Sequence, residues 1–310
     1  MVTIFTTDDD VSSNIVHDWL LHLGVTVNRV NNFPENFSEE FSLSISHNGV
    51  NSNFKNINRV WFRRWSATVF GIGNIQNALE NEKSALKRIF SKQLPLKFLI
   101  NKPADLLISK TKTLEVAAQI GIDIPETLIT NSKAKLKEFI DSKKSVIVKP
   151  LYEPLFINKR NSSYASYTRI LTSDEVSTYC DFFIPSIFQE CIEKEFEIRT
   201  FYFNNEFYSM AIFSQAEKRT SIDFRHYNSE KPNRNVPYKL PINVETSLSE
   251  LMVSLNLDSG SIDIVKSIDG RYVFLEVNPI GQFGMVSHPC NYYLEKRIAE
   301  YLIERSTINA

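Results

Sequence analysis

Apolar and polar positions along the chain fall into short runs that switch between the period of a strand and that of a helix. Residues 2–5 are an apolar run, followed by three aspartates. Val16, Trp19, Leu20 and Leu23 then recur at helical spacing up to Gly24, a C-terminal helix stop, with Ser12 and Ser13 as the expected caps. Residues 25–30 form the next strand, so the chain opens β-α-β, the start of an α/β lobe. Residues 31–58 are rich in Asn, Ser and Phe and read as short strands and loops, with a hairpin at Asn48-Gly49. Residues 58–65 form a strand that ends in Arg63, Arg64 and Trp65. The two arginines point to opposite sides of an extended segment. Either one of them faces a cleft, or both are an ordinary surface pair. Residues 75–94 read as an amphipathic helix.

The linker at Asn101-Lys102-Pro103 opens a second unit. A helix is predicted over 109–120, stopped by Gly121, and an extended segment over 123–130. Ser132 caps a helix carrying Leu136, Phe139 and Ile140. Residues 145–150 are a strand of branched residues ending in Lys149, and 158–167 a hairpin or loop. An apolar run over 179–189 leads into 190–199, ECIEKEFEIR. Residues 200–203 and 207–213 form a hairpin about Asn204-Asn205. Residues 214–237 read as polar and irregular, 247–257 as a helix and 292–304 as a closing helix. The chain shows no internal repeat.

The stretch 271–282, RYVFLEVNPIGQ, carries the chemistry. It is a strand interrupted by one carboxylate, Glu276, and one amide, Asn278, and ended by Pro279, which has no N–H for the ladder. Side chains alternate along a strand, so Glu276 and Asn278 share a face. The turn at Asp269-Gly270 folds back a second apolar strand, 260–265, whose single acid is Asp263. Three oxygen ligands together suit a hard cation such as Mg2+; the bland alternative is polar residues on a half-exposed hairpin. Upstream, Lys110 opens a helix, where backbone N–H groups already favour anions, and Lys149 projects from a sheet edge. Arg199 lies two residues after Glu197 on one strand face, so Glu197 either meets a ribose hydroxyl or orients the arginine. Gln189, Glu190 and Ile192 follow an apolar run and offer groups to a base edge.

Composition narrows the class. The 310 residues are 43% hydrophobic and 23% charged, as in a folded protein with a sizeable core. A net charge of −1 gives no basic field for nucleic acid or a membrane surface. Three cysteines without a CxxC pair speak for a reducing compartment, and with no signal peptide or bilayer-long apolar run the expectation is the cytoplasm. The five histidines are scattered and none has ligand spacing.

The order of these motifs over residues 101–291 resembles the ATP-grasp carboxylate–amine ligases, with LEVNPIGQ the most specific piece. The resemblance implies a mixed α+β and α/β chain of the ATP-grasp fold. It has an N-terminal α/β lobe over 1–101, a central ATP-grasp lobe over 102–188 and a C-terminal lobe with the metal hairpin over 189–310. Lys110 and Lys149 would hold phosphates, Gln189, Glu190 and Ile192 the adenine, and Glu197 the ribose. Asp263, Glu276 and Asn278 would hold about two Mg2+. The loop after the second lysine, glycine-rich in the family, here reads NSSYAS over 161–166, without glycine.

Within that superfamily the chain resembles the graspetide, or microviridin-type, peptide macrocyclases. The matching pieces are 110–131 (KTKTLEVAAQIGIDIPETLITN), 60–65 (VWFRRW), Ser214-Gln215 and 221–225 (SIDFR), where Phe224 replaces a common Trp. The form FLEVNPIGQFG resembles the maturases of grasp-with-SPASM systems. By this resemblance Arg63, Arg64, Asp223 and Arg225 would meet the leader or substrate peptide, with Arg199 and Arg225 in the catalytic machinery. The implied partner is a precursor peptide of leader plus core, and the implied assembly a homodimer. ATP would phosphorylate an Asp or Glu side chain of the core, and a Ser or Thr hydroxyl or a Lys amine would close the ring. Two rivals stand beside this reading: an ATP-grasp ligase that adds an amino acid to a peptide or protein C-terminus, and a degenerate scaffold that binds peptide without turnover.

Overall fold

The computed structural model describes residues 1–31, 42–47, 49–52, 59–64, 99–101, 108–151, 156–159, 162–165, 168–215 and 232–304, with isolated helical positions between 78 and 89. The helix expected over 75–94 therefore lies largely outside the described residues.

The first lobe is built from β1 (Val2–Thr6), α1 (Val11–His22), β2 (Val27–Asn31), a β3–β4 hairpin (Leu43–Ser46, Gly49–Ser52), β5 (Val60–Phe62) and β6 (Leu99–Ile100). Its parallel sheet runs β2-β1-β5-β6. Ser12 and Ser13, expected as caps, sit inside the first turn of α1, and Asp10 is the N-cap residue. Both serines are buried, and Ser13 donates to the Asp10 carbonyl at 2.9 Å.

The middle section holds α2 (Lys110–Ile120), β7 (Thr127–Ser132), α3 (Lys133–Asp141), β8 (Val146–Lys149), the β9–β10 hairpin (Phe156–Lys159, Ser162–Ala165), β11 (Arg169–Leu171), α4 (Ser173–Ser177) and β12 (Phe182–Glu190). Ser109 caps α2 by accepting from the Lys112 amide, and Gly121 ends it at φ +84°. Ser132 caps α3 in the same way. The sheet β11-β8-β12-β7 carries α3 and α4 on one face, packed through Leu136, Val146, Val176 and Phe188. The other face presents Ile147, Lys149 and Gln189.

The last section holds β13 (Lys194–Phe203), β14 (Glu206–Phe213), β15 (Arg234–Tyr238), α5 (Ile242–Ser254), β16 (Ser259–Ser267), β17 (Tyr272–Asn278), α6 (Gly284–Cys290) and α7 (Leu294–Glu304). Its antiparallel sheet is ordered β15-β14-β13-β16-β17. Asn204 and Asn205 take φ +48° and +66°, as the tight β13–β14 turn requires. Three elements depart from expectation. Residues 234–238 form an edge strand on β14, with Pro237 opposite Met210, since an edge position tolerates a missing N–H. Helix α5 begins at Ile242, five residues before the expected start, with Pro241 at its N-cap accepting from the Val244 and Glu245 amides at 3.0 Å. Helix α6 forms through Pro289, which the sequence pattern did not show.

Two cores join these sections. Helix α2 packs Leu114, Val116 and Ala117 onto the last sheet and α5, among Ile262, Ile264, Phe274 and Val277. The first lobe shares its core with the end of the chain: Val2, Ile4, Leu20 and Trp61 pack with Phe201, Phe203, Phe283 and Ile298. Phe283 is fully buried, with ring centroids 4.8 Å from Phe201 and 6.4 Å from Trp61. No helix among the described residues is long and apolar enough to cross a membrane. Phe283→Ala leaves a cavity at this junction and is expected to cost about 3–5 kcal/mol in urea-unfolding measurements; a loss under about 1 kcal/mol would mean the two lobes do not depend on it.

Candidate active site

A cleft lies between the middle sheet and the last one. Ile147 and Lys149 of β8 and Gln189 and Glu190 of β12 form one wall, and Cys191, Ile192 and Glu193 cross its back. Lys194 and Glu197 of β13, Asp263 and Val265 of β16, and Leu275 and Glu276 of β17 form the other. The lining therefore combines apolar side chains, Ile147, Ile192, Val265 and Leu275, with a charged set that includes Lys149, Lys194, Glu197, Asp263 and Glu276.

Register explains the charged set. Asp263 pairs with Glu276 across β16–β17 and with Arg199 across β13–β16, so three strands aim these side chains at one face. Asn278 lies opposite Ser261, two positions along the same face. Between Asp263/Glu276 and Ile264/Phe274 the ladder takes one step on β16 and two on β17, which makes Leu275 an additional residue in a bulge. The bulge brings Leu275 to the cleft beside Glu276, against simple alternation.

Each acid is held by a cation from another part of the chain or another strand position. Both Asp263 oxygens accept from the Arg199 guanidinium, at 2.9 and 2.8 Å. The Lys110 ammonium, at the start of α2, lies 3.8 Å from Glu276, because α2 packs along β17. Lys194 donates to Glu197 at 2.6 Å, and the Ser214 hydroxyl donates to the same oxygen at 2.8 Å. Arg199 is thus paired with Asp263 and not with Glu197. Burial pushes the Glu197 carboxyl above the ordinary carboxylate range, and Lys194 and Ser214 pull it part of the way back. Burial likewise raises the Cys191 thiol, which stays protonated in the cleft. Gln189 donates to Thr127 at 2.9 Å, and its buried carbonyl oxygen has no hydrogen-bond partner.

The structure brings Lys149, Gln189, Glu190, Ile192, Glu197, Asp263 and Glu276 to the cleft wall, with Lys110 and Arg199 joined through their acids. It does not bring Arg63 there. Arg63 is buried in an ion pair with Asp10 at 2.5 Å, and its exposed neighbour Arg64 donates to the Ile280 carbonyl at 3.3 Å. Asp223 and Arg225 lie outside the described residues. Lys194 was missed by the sequence reading. Three residues from Glu197 it should face the other way, but the β13–β16 ladder shifts register between Lys194 and Phe196.

Asp263, Glu276 and Asn278 fit a hard divalent cation: all three offer oxygen, and the two acids face each other across one ladder position. The Asn278 amide oxygen is oriented by the Ile280 N–H at 3.0 Å, which leaves it a second lone pair. Among the described residues no group of three or more His, Cys, Asp or Glu gathers as a metal site, so a soft or tetrahedral site is not offered.

The whole chain matches solved structures. A Chryseobacterium gregarium RiPP-associated ATP-grasp ligase, solved with ADP and a leader and core peptide, is 25% identical, covers 100% of this chain and 96% of its own, and has a TM-score of 0.80. The chain has the fold of the RiPP-associated ATP-grasp ligases. The macrocyclase MdnC of Microcystis aeruginosa MRC, bound with precursor peptide MdnA, shares this ATP-grasp fold at 22% identity, 97% and 98% coverage and a TM-score of 0.77. The ATP-grasp ligase PsnB, complexed with a phosphomimetic variant of minimal precursor, Mg and ADP, does so at 18% identity, 99% and 98% coverage and 0.74. No family model matches the sequence, and no curated protein matches it.

A pH prediction follows from Glu197. Its raised value means that the folded state holds the proton more tightly than the unfolded chain, where the group titrates near 4.5. Its share of stability is fully present below that value and is lost as pH rises through the raised one. In Tm measurements against pH, Glu197→Gln is therefore expected to shift in the variant's favour, relative to the parent, as pH rises from the acid range. Parallel Tm profiles would contradict it.

Proposed function

We propose that this chain is an ATP-dependent ligase that closes rings in a ribosomally made precursor peptide. The observation that carries the reading is the charged part of the cleft, where Asp263 and Glu276 face each other, Arg199 donates to Asp263 and Lys110 lies 3.8 Å from Glu276. The fold likeness to a ligase solved with ADP and a leader and core peptide supports it across the full chain.

In this reading ATP lies in the cleft, its adenine between the apolar wall and the Gln189–Ile192 segment and its ribose near Glu197. Lys110 and Lys149 hold phosphate oxygens, and Asp263, Glu276 and Asn278 hold about two Mg2+. Magnesium would neutralise charge on the phosphates as the phosphoryl group transfers. A carboxylate oxygen of a core Asp or Glu takes the γ-phosphoryl group, giving an acyl phosphate and ADP. A Ser or Thr hydroxyl, or a Lys amine, of the same peptide attacks the acyl carbon. Phosphate leaves and an ester or amide forms, so each ring removes one water from the peptide. No nucleophile of the chain is needed; positioning and charge neutralisation do the chemistry, with Arg199 facing the developing charge. Arg64, Asp223 and Arg225 are assigned to the peptide and Arg225 also to the catalytic machinery. The chain acts as a homodimer in the cytoplasm, where ATP and Mg2+ are supplied.

Mass spectrometry of the precursor peptide, incubated with the chain, ATP and Mg2+, tests this: one water lost per ring is expected. A gain of one amino-acid residue mass would instead make the chain a C-terminal ligase, and an unchanged peptide a binding scaffold. The double variant Glu276→Ala, Asn278→Ala is expected to fold, with Tm within about 5 °C of the parent since neither side chain is in the core, and to lose water-removing activity below detection. Full activity in that variant would reject the metal assignment.

A further inference from the structure

The backbone that leaves the metal strand is held by the first lobe. Three consecutive carbonyls follow Asn278, and each accepts from a different first-lobe side chain. Asn101 Nδ2 reaches Pro279 O at 3.4 Å, Arg64 Nη2 reaches Ile280 O at 3.3 Å, and Arg63 Nη2 reaches Gly281 O at 3.3 Å. The next residue continues the pattern: Gln282 Oε1 accepts from Ser12 Oγ at 2.9 Å, and its Nε2 donates to Asp10 Oδ1 at 3.4 Å.

The holding groups are themselves fixed. Arg63 donates to Asp10 at 2.5 Å and lies over the Phe283 and Trp61 rings, at 5.0 and 5.6 Å. The Asp10 side chain is 0% exposed and that of Arg63 5%. Asn101, at φ +54°, also accepts from the Asp258 and Ser259 amides, so one side chain holds both the entry to β16 and the exit from β17. From the other side Gly281 lies so close to Ser261, the partner of Asn278, that no Cβ fits. A buried ion pair gains little stability over apolar packing, so its contribution here is a fixed direction.

Resting on the metal reading above, we infer that the first lobe positions the cation ligands, and that Arg63, with Gln282, is a positioning residue for bound Mg2+ and not a peptide contact. None of Asp10, Arg63, Asn101 or Gln282 lines the nucleotide cleft. Their influence therefore passes through the 279–282 backbone to Asn278 and Glu276. It bears on the cation-dependent part of nucleotide binding and leaves the adenine contacts alone.

Isothermal titration of the full chain with ADP, with and without Mg2+, tests this in Arg63→Lys, Gln282→Ala and Glu276→Ala. In the first two the Mg2+-dependent gain in ADP affinity is expected to fall about tenfold, the low end for groups behind a metal ligand, while Mg2+-free ADP affinity stays within about twofold. An undiminished gain in both, or an equal loss with and without Mg2+, overturns the inference. Should Arg63→Lys fail to fold, Gln282→Ala decides alone. Glu276→Ala is expected to abolish the gain. A gain kept there overturns the metal reading, and this inference with it; a gain lost there but kept in every folded variant of Arg63→Lys and Gln282→Ala overturns the inference alone.

Discussion

Charge in this cleft is bearable because three of its acids each have a cation against them. Taking a carboxylate out of water costs several kcal/mol, and a cation paired with it offsets part of that. Asp263 has Arg199, Glu276 has Lys110 and Glu197 has Lys194. The cations come from β13 and α2 and the acids from β13, β16 and β17, so closing these pairs draws the last sheet and the preceding helix into one arrangement. The same pairs are ready for exchange. In the proposed reaction a divalent cation would compete for the acids and phosphate oxygens for the lysines and the arginine, so a metal–nucleotide complex would satisfy all of them at once. That balance lets one set of side chains serve both the folded chain and the proposed reaction.

Much of this was legible because strand parity is a strong constraint. Asp263, Glu276 and Asn278 each interrupt an apolar run, and the Asp269-Gly270 turn, with Gly270 at φ +91°, fixes which residues meet. The Asn204-Asn205 hairpin was equally plain, since both positions need the left-handed region. Where alternation breaks, the reading broke with it. The bulge at Leu275 and the register shift after Lys194 move two side chains into the cleft that parity would send elsewhere. The strand at 234–238 was hidden because Pro237 argues against a strand unless the edge position is known.

The role of the first lobe was the least legible part. Arg63 and Arg64 are adjacent cations at a strand end, and nothing local separates them. Their fates are decided by partners more than two hundred residues away: the carbonyls of Gly281 and Ile280. One arginine becomes a buried clamp between lobes, and the other keeps a side chain 40% exposed. Core packing carries the same message, since Trp61 and Ile4 share a cluster with Phe283 and Ile298. The lobe that begins the chain thus supports the loop that follows β17.

The central claim is that Asp263, Glu276 and Asn278 together hold the cation that accompanies the nucleotide. A crystal structure with ADP and Mn2+, read by the anomalous signal of manganese, measures this directly. The expected result is a manganese peak bounded by those three side chains, with Lys110 and Lys149 turned to the phosphates. Manganese bound elsewhere, with Arg199 still on Asp263 and Lys110 still on Glu276, would contradict it.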